Sequence, residues 1–125
     1  MTTLKKKEFE IKSADNSKVC FVYETQFNAI KNAQRIIREN LPEAVSCVLY
    51  GSCSRSDCKY DSDVDLLVLL DDFSCDVQRK GRQLLSELNS NVIVKLDVAF
   101  CEKNRFNGAK STYYNSIKRG GIVLW

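Results

Sequence analysis

Two short stretches hold residue types that could do chemistry together: Gly51-Ser52, and Asp63-Val64-Asp65 after ten intervening residues. Apolar runs adjoin both, Ala44 to Tyr50 ahead of the glycine and Val64 to Leu70 behind the first aspartate. The pattern reads as strand, tight glycine turn, short helix start, loop and second strand. Side chains alternate faces along a strand, so Asp63 and Asp65 point one way and Val64 the other. Two carboxylates held that close repel, so one is protonated or a cation lies between them. Oxygen ligands with open positions favour Mg²⁺, usually held by one or two carboxylates plus substrate phosphates. Gly51 lacks the Cβ that would keep a phosphate off the backbone. N–H groups at a helix start after it would add donors and about half a unit of positive charge. Ser52 is suited to capping that helix and to holding a phosphate oxygen. Arg55, a turn later, either reaches the same phosphates or is a solvated surface arginine.

A further carboxylate stands out. Val92 to Phe100 alternates as a third strand, with Val92, Val94, Leu96, Val98 and Phe100 on one side and Ile93, Lys95, Asp97 and Ala99 on the other. A charge such as Asp97 inside a β-run is uncommon unless it has a partner. Asp71-Asp72 are adjacent and point apart, which fits a solvated turn.

The pattern Gly-Ser-x₁₀-Asp-x-Asp, with Arg55 three residues after Ser52, resembles the nucleotidyltransferase motif of the DNA polymerase β-like superfamily, nearest its minimal single-domain members. The competing reading is a plain turn followed by a strand with a polar start. The resemblance covers roughly Gln26 to Trp125 and implies an α+β (α/β-like) nucleotidyltransferase fold, a mixed central β-sheet flanked by helices. It implies that Asp63 and Asp65 bind two Mg²⁺ ions, with Mn²⁺ as an alternative. Asp97, matched by its place in the order of elements, would bind one ion and help deprotonate the acceptor. Gly51 and Ser52 would hold the triphosphate of ATP or another nucleoside triphosphate, with Arg55 as charge partner. The implied reaction moves a nucleoside monophosphate such as AMP to an acceptor hydroxyl. Relatives often carry glycine where this chain has Ser56, which bears on the loop conformation.

Acceptor choice rests on size. Larger relatives carry an added domain for tRNA, a DNA end or an aminoglycoside, and 125 residues leave no room for one. Minimal members resemble antitoxins that silence a helical HEPN ribonuclease by adding nucleotide to a tyrosine, so a HEPN-type partner protein is the expected acceptor. An aminoglycoside-like small molecule or a nucleic acid is the enzymatic alternative. A non-catalytic module that neutralises its partner by binding is the rival from another class. A small domain with an open cleft also makes a homodimer plausible.

Composition sets the bounds. The chain is expected to be one domain over 1–125, a hairpin extension over 1–24 and the core over 25–125. Hydrophobic residues are 44% and charged residues 28%, as in ordinary soluble globular proteins. Net charge is +3, too slight for a dedicated nucleic-acid surface. Lys5-Lys6-Lys7 reads as a solvated terminus. No run reaches the ~18 apolar residues of a membrane span, and Met1-Thr2-Thr3-Leu4 opens no secretory signal, so a cytoplasmic location is expected. The chain has no histidine, which excludes Ser-His-Asp and Cys-His catalysis. Six cysteines without a Cys-x-x-Cys pair argue against zinc and against a disulfide framework, with Cys20, Cys47 and Cys101 in apolar runs as core residues.

Elements must position these residues. Glu8 to Lys12 and Lys18 to Tyr23 read as a hairpin about Ala14-Asp15-Asn16-Ser17. Thr25 is the expected cap of a helix over Gln26 to Asn40, with Phe27, Ile30, Ala33, Ile37 and Leu41 inward and Pro42 ending it. Ser74 caps a helix through Leu88, packing by Val77, Gly81, Leu84, Leu85 and Leu88, and Asn89-Ser90-Asn91 is a turn. Asn104 to Gly108 reads as loop and Ala109 to Arg119 as a helix with Tyr113, Tyr114 and Ile117 packed. Gly120-Gly121 then lead to a strand over Ile122 to Trp125.

Overall fold

A computed structural model describes residues 6–90 and 92–125. Lys5, Asn91 and the Met1 to Leu4 segment lie outside the described residues. Among the described residues, six strands and four α-helices run in the order β1 (Phe9–Lys12), β2 (Val19–Val22), α1 (Glu24–Asn40), β3 (Ala44–Tyr50), β4 (Val64–Leu70), α2 (Cys75–Leu88), β5 (Leu96–Glu102), α3 (Lys103–Gly108), α4 (Thr112–Gly120) and β6 (Ile122–Val123). Four strands form a mixed sheet in the order β5-β4-β3-β6, with β3 antiparallel to β4 and to β6, and β4 parallel to β5.

Two apolar layers cover the sheet, as expected for strands apolar on both sides. On one face Leu49, Leu66, Val68, Leu96 and Val98 pack with Ile30, Ala33 and Ile37 of α1 and Val77 and Leu88 of α2. On the other, Val48, Leu67, Leu69 and Cys101 pack with Phe106 of α3 and Ile117 of α4. Cys53 and Cys58 are buried as well as Cys20, Cys47 and Cys101, and all six thiols are free.

The hairpin forms as expected, with Asp15 tying its turn: one carboxylate oxygen accepts from Ser13 Oγ at 2.7 Å, Ser17 Oγ at 2.7 Å and Ser17 N at 3.0 Å. It is a separate two-stranded sheet that straps the larger one. Ala14 N donates to Val123 O at 2.8 Å, and Lys18 Nζ donates to Arg119 O at 2.7 Å and Gly121 O at 3.2 Å. Lys7 is not merely solvated, since its Nζ donates to Cys58 O at 3.1 Å.

Several expected boundaries move. Helix α1 starts two residues early, because Gln26 Oε1, not Thr25, accepts from the N-cap amide of Tyr23 at 3.1 Å. Strand β5 starts at Leu96 and not Val92. Asn89 clamps that start, accepting from Leu96 N and donating to Leu96 O, both at 2.9 Å. The 104–108 stretch is helical in α3, and α4 begins at Thr112 with Ser111 accepting from Tyr114 N at 3.2 Å. Tyr113 is exposed, unlike Ile117. Strand β6 shortens to two residues, although Leu124 N still donates to Cys47 O.

Candidate functional site

The site begins with strand register. Tyr50 of β3 lies opposite Asp65 of β4, and Asp65 lies opposite Asp97 of β5. The three form a row across neighbouring strands, with Cα atoms roughly 5 Å apart at each step. Alternation puts the row on the α3–α4 face, the face of Val48, Leu67, Leu69 and Cys101. It stands at the C-terminal end of β3 and the N-terminal ends of β4 and β5. Asp63, one residue ahead of β4, shares the parity of Asp65.

Electrostatics register this convergence. Burial, then the charge of Asp97, then that of Asp63, hold the Asp65 carboxyl above the usual carboxylate range. Burial also pushes the Tyr50 phenol upward, helped by its hydrogen bond to Tyr113 and by Asp65 and Asp97, so it stays protonated. Asp97 itself is exposed on the sheet-edge strand, not embedded as its β-run implied.

Gly51 joins this row to the turn after β3. Its φ is +75°, and a Cβ built there would collide with Asp65 Oδ2. Glycine is thus required twice, by the left-handed backbone and by the approach of the carboxylate. In place of the expected helix start, the chain after Ser52 makes a single 3-10 turn, Cys53–Arg55. So short a turn has little macrodipole, and anion binding there must come from individual N–H groups. Ser52 does not cap the turn with its side chain. Ser54 Oγ instead donates to Gly51 O at 2.7 Å, and Ser52 O accepts from Arg55 N at 3.2 Å and Asp57 N at 2.9 Å.

Arg55 pairs with Asp57, Nε to Oδ2 at 3.2 Å, and both side chains are largely exposed. Ser56 takes the left-handed conformation, φ 60°, which a glycine would adopt without strain. Its hydroxyl offsets the strain in part by accepting from Phe21 N at 2.9 Å, tying the hairpin to this turn.

Gln26 carried no chemical signal in the sequence, yet it holds the loop leading to Asp63. Fully buried on α1, its Nε2 lies 2.8, 2.9 and 3.3 Å from the carbonyls of Lys59, Tyr60 and Ser62. A polar residue on the apolar stripe was the available signal, since most buried amides are hydrogen-bonded. Nor was the Tyr50–Tyr113 contact legible, because it depends on how α4 crosses the sheet.

The sequence pattern of the nucleotidyltransferase domain family matches residues 30–120, and the chain belongs to that family. Its fold is that of several solved structures. A toxin–antitoxin structure with AMP-PNP is 24% identical, with a TM-score of 0.56 over 78% of this chain and 71% of that one. The MntA–HepT toxin–antitoxin is 23% identical, with a TM-score of 0.52 over 80% of this chain and 71% of that one. A Shewanella oneidensis structure of a tri-AMPylated HEPN toxin in complex with MNT antitoxin is 22% identical, with a TM-score of 0.52 over 81% and 71%. No curated protein matches the chain significantly in sequence. Among the described residues no helix is long and apolar enough to cross a membrane.

Proposed function

We propose that the protein transfers a nucleoside monophosphate, AMP in the first instance, from a nucleoside triphosphate to an acceptor hydroxyl. The observation that carries this reading is the Tyr50–Asp65–Asp97 row with Gly51 against Asp65. Family membership supports the reaction class.

The donor set suits Mg²⁺: hard oxygens only, with a half-buried carboxylate destabilised by two like charges. Among the described residues no three acidic or thiol side chains form a ready-made metal cage. Substrate phosphates and water would complete the shell, as is usual for this ion. Asp63, Asp65 and Asp97 are the residues that would hold it. When bound, Mg²⁺ neutralises charge building on the attacking and leaving oxygens of an in-line displacement. The Gly51–Ser52 backbone, open for lack of a Cβ, holds the triphosphate, and Arg55 would have to leave Asp57 to assist. Asp97, exposed at the sheet edge, accepts the acceptor hydroxyl's proton. The acceptor oxygen bonds to the α-phosphorus, the bond to the β-phosphate oxygen breaks, and pyrophosphate leaves.

A hydroxyl on a HEPN-type partner protein is the acceptor we favour, since solved structures of similar fold include toxin–antitoxin complexes, one of them with an AMPylated HEPN toxin. The test incubates the chain with Mg²⁺, α-labelled ATP and a HEPN-type protein. Label on that protein, lost with Asp63→Ala, is the expected result. Undiminished neutralisation of the partner by Asp63→Ala, without label, would make this a binding module.

A further inference from the structure

Tyr113 has no part in the reaction above, yet it is held beside the row. We propose that the Tyr113 ring, braced by Tyr50, is the platform on which the nucleobase of the triphosphate stacks, favouring purines. The proposal rests on the reading that the Gly51–Ser52 turn takes the phosphates.

Order across the sheet sets the direction of the nucleotide. Tyr50 adjoins Gly51 on the β3 side of Asp65, whereas Asp97 lies on the opposite side, at the β5 edge. With the α-phosphate at Asp65 and the acceptor entering past Asp97, the tyrosines stand on the side away from the acceptor, open to the nucleoside. The platform is also preorganised. Tyr113 is 57% exposed, yet its orientation is set on two sides. Its hydroxyl lies 3.3 Å from that of Tyr50, and the rings meet edge to face at 6.4 Å. Tyr114 lies against it with centroids 5.5 Å apart and is itself held by Phe106, edge to face at 5.4 Å. A large aromatic face fixed and still open to solvent loses little freedom when a flat ligand covers it. Stacking on such a face reads no base edge, so it discriminates by ring area, and purines offer more.

The experiment titrates wild type, Tyr113→Ala and Tyr113→Phe with non-hydrolysable ATP, non-hydrolysable UTP and inorganic triphosphate, each with Mg²⁺. Wild type should bind the ATP analogue more tightly than the other two ligands. Tyr113→Ala should lose about tenfold for the ATP analogue and nothing for inorganic triphosphate, while Tyr113→Phe keeps most of the affinity. An unchanged thermal midpoint, expected for so exposed a side chain, confirms folding of the variants. Equal loss for all three ligands, or none for the ATP analogue, overturns the platform and leaves the phosphate site standing. Nucleotide attached covalently to Tyr113 overturns it too, making that residue an acceptor. Wild type binding none of the three removes the phosphate reading and the platform with it.

Discussion

At Gly51 the backbone and the site make one demand. Gly51→Ala must adopt φ +75° with a Cβ, at about 1–2 kcal/mol, and its methyl displaces Asp65. Equilibrium unfolding should show that loss, and transfer activity should fall about 100-fold through misplacement alone. Asp65 makes the opposite case, a residue whose charge opposes folding. Its folded pKa is raised, so the unfolded chain releases the proton first and stability falls as pH climbs through the carboxyl range. Asp65→Asn should therefore melt higher than wild type at pH 7, a gain that fades as pH falls below the ordinary carboxyl value. A lower midpoint at pH 7 would mean that Asp65 is a structural residue. In the hairpin turn, Asp15 shows the reverse sign. Held at about 2 by Ser17 and Ser13, it stabilises above the unfolded value of 3.8, and that contribution is lost as pH falls toward 2.

The elements exist to hold this row, and the sequence revealed them unevenly. Strands β3 and β4 and helix α2 were legible because their apolar runs are long and their signals local: Gly51 after one, Ser74 before another. The hairpin was legible as well, whereas side-chain clamps hid where α1 and β5 begin. The start of β5 is fixed by the Asn89 side chain seven residues away, so the alternation of Val92 to Lys95 misled. The start of α1 is fixed by Gln26, which also anchors the 59–62 loop. Replacing Gln26 with Leu buries unpaired carbonyls and should cost about 3 kcal/mol, read by urea unfolding, and loosen Asp63 enough to lower transfer. Helix α2 meets β5 at another tight point, where a Cβ on Gly81 would lie 2.8–3.2 Å from the Phe100 ring. Gly81→Val should destabilise by roughly 1–3 kcal/mol through overpacking, with the chemistry of the site unchanged.

In the whole molecule, one mixed sheet brings a turn and two strand starts to one edge, with the hairpin strapped across β6 and bonded to the same turn. The three aspartates and Gly51-Ser52 were legible as a spacing. The pairing of Asp65 with Asp97 was not, since it depends on β4 and β5 running parallel in register. Nor could spacing reveal that Arg55 turns to Asp57, or that the expected helix start is a 3-10 turn. These residues are proposed to form one centre for a divalent ion and a triphosphate. A crystal structure with Mn²⁺ and a non-hydrolysable triphosphate tests it most directly. An anomalous peak between Asp63 and Asp65 is the predicted result, with phosphate oxygens on the Gly51–Ser52 backbone. Triphosphate bound elsewhere, or an ion that ignores Asp65, would contradict it.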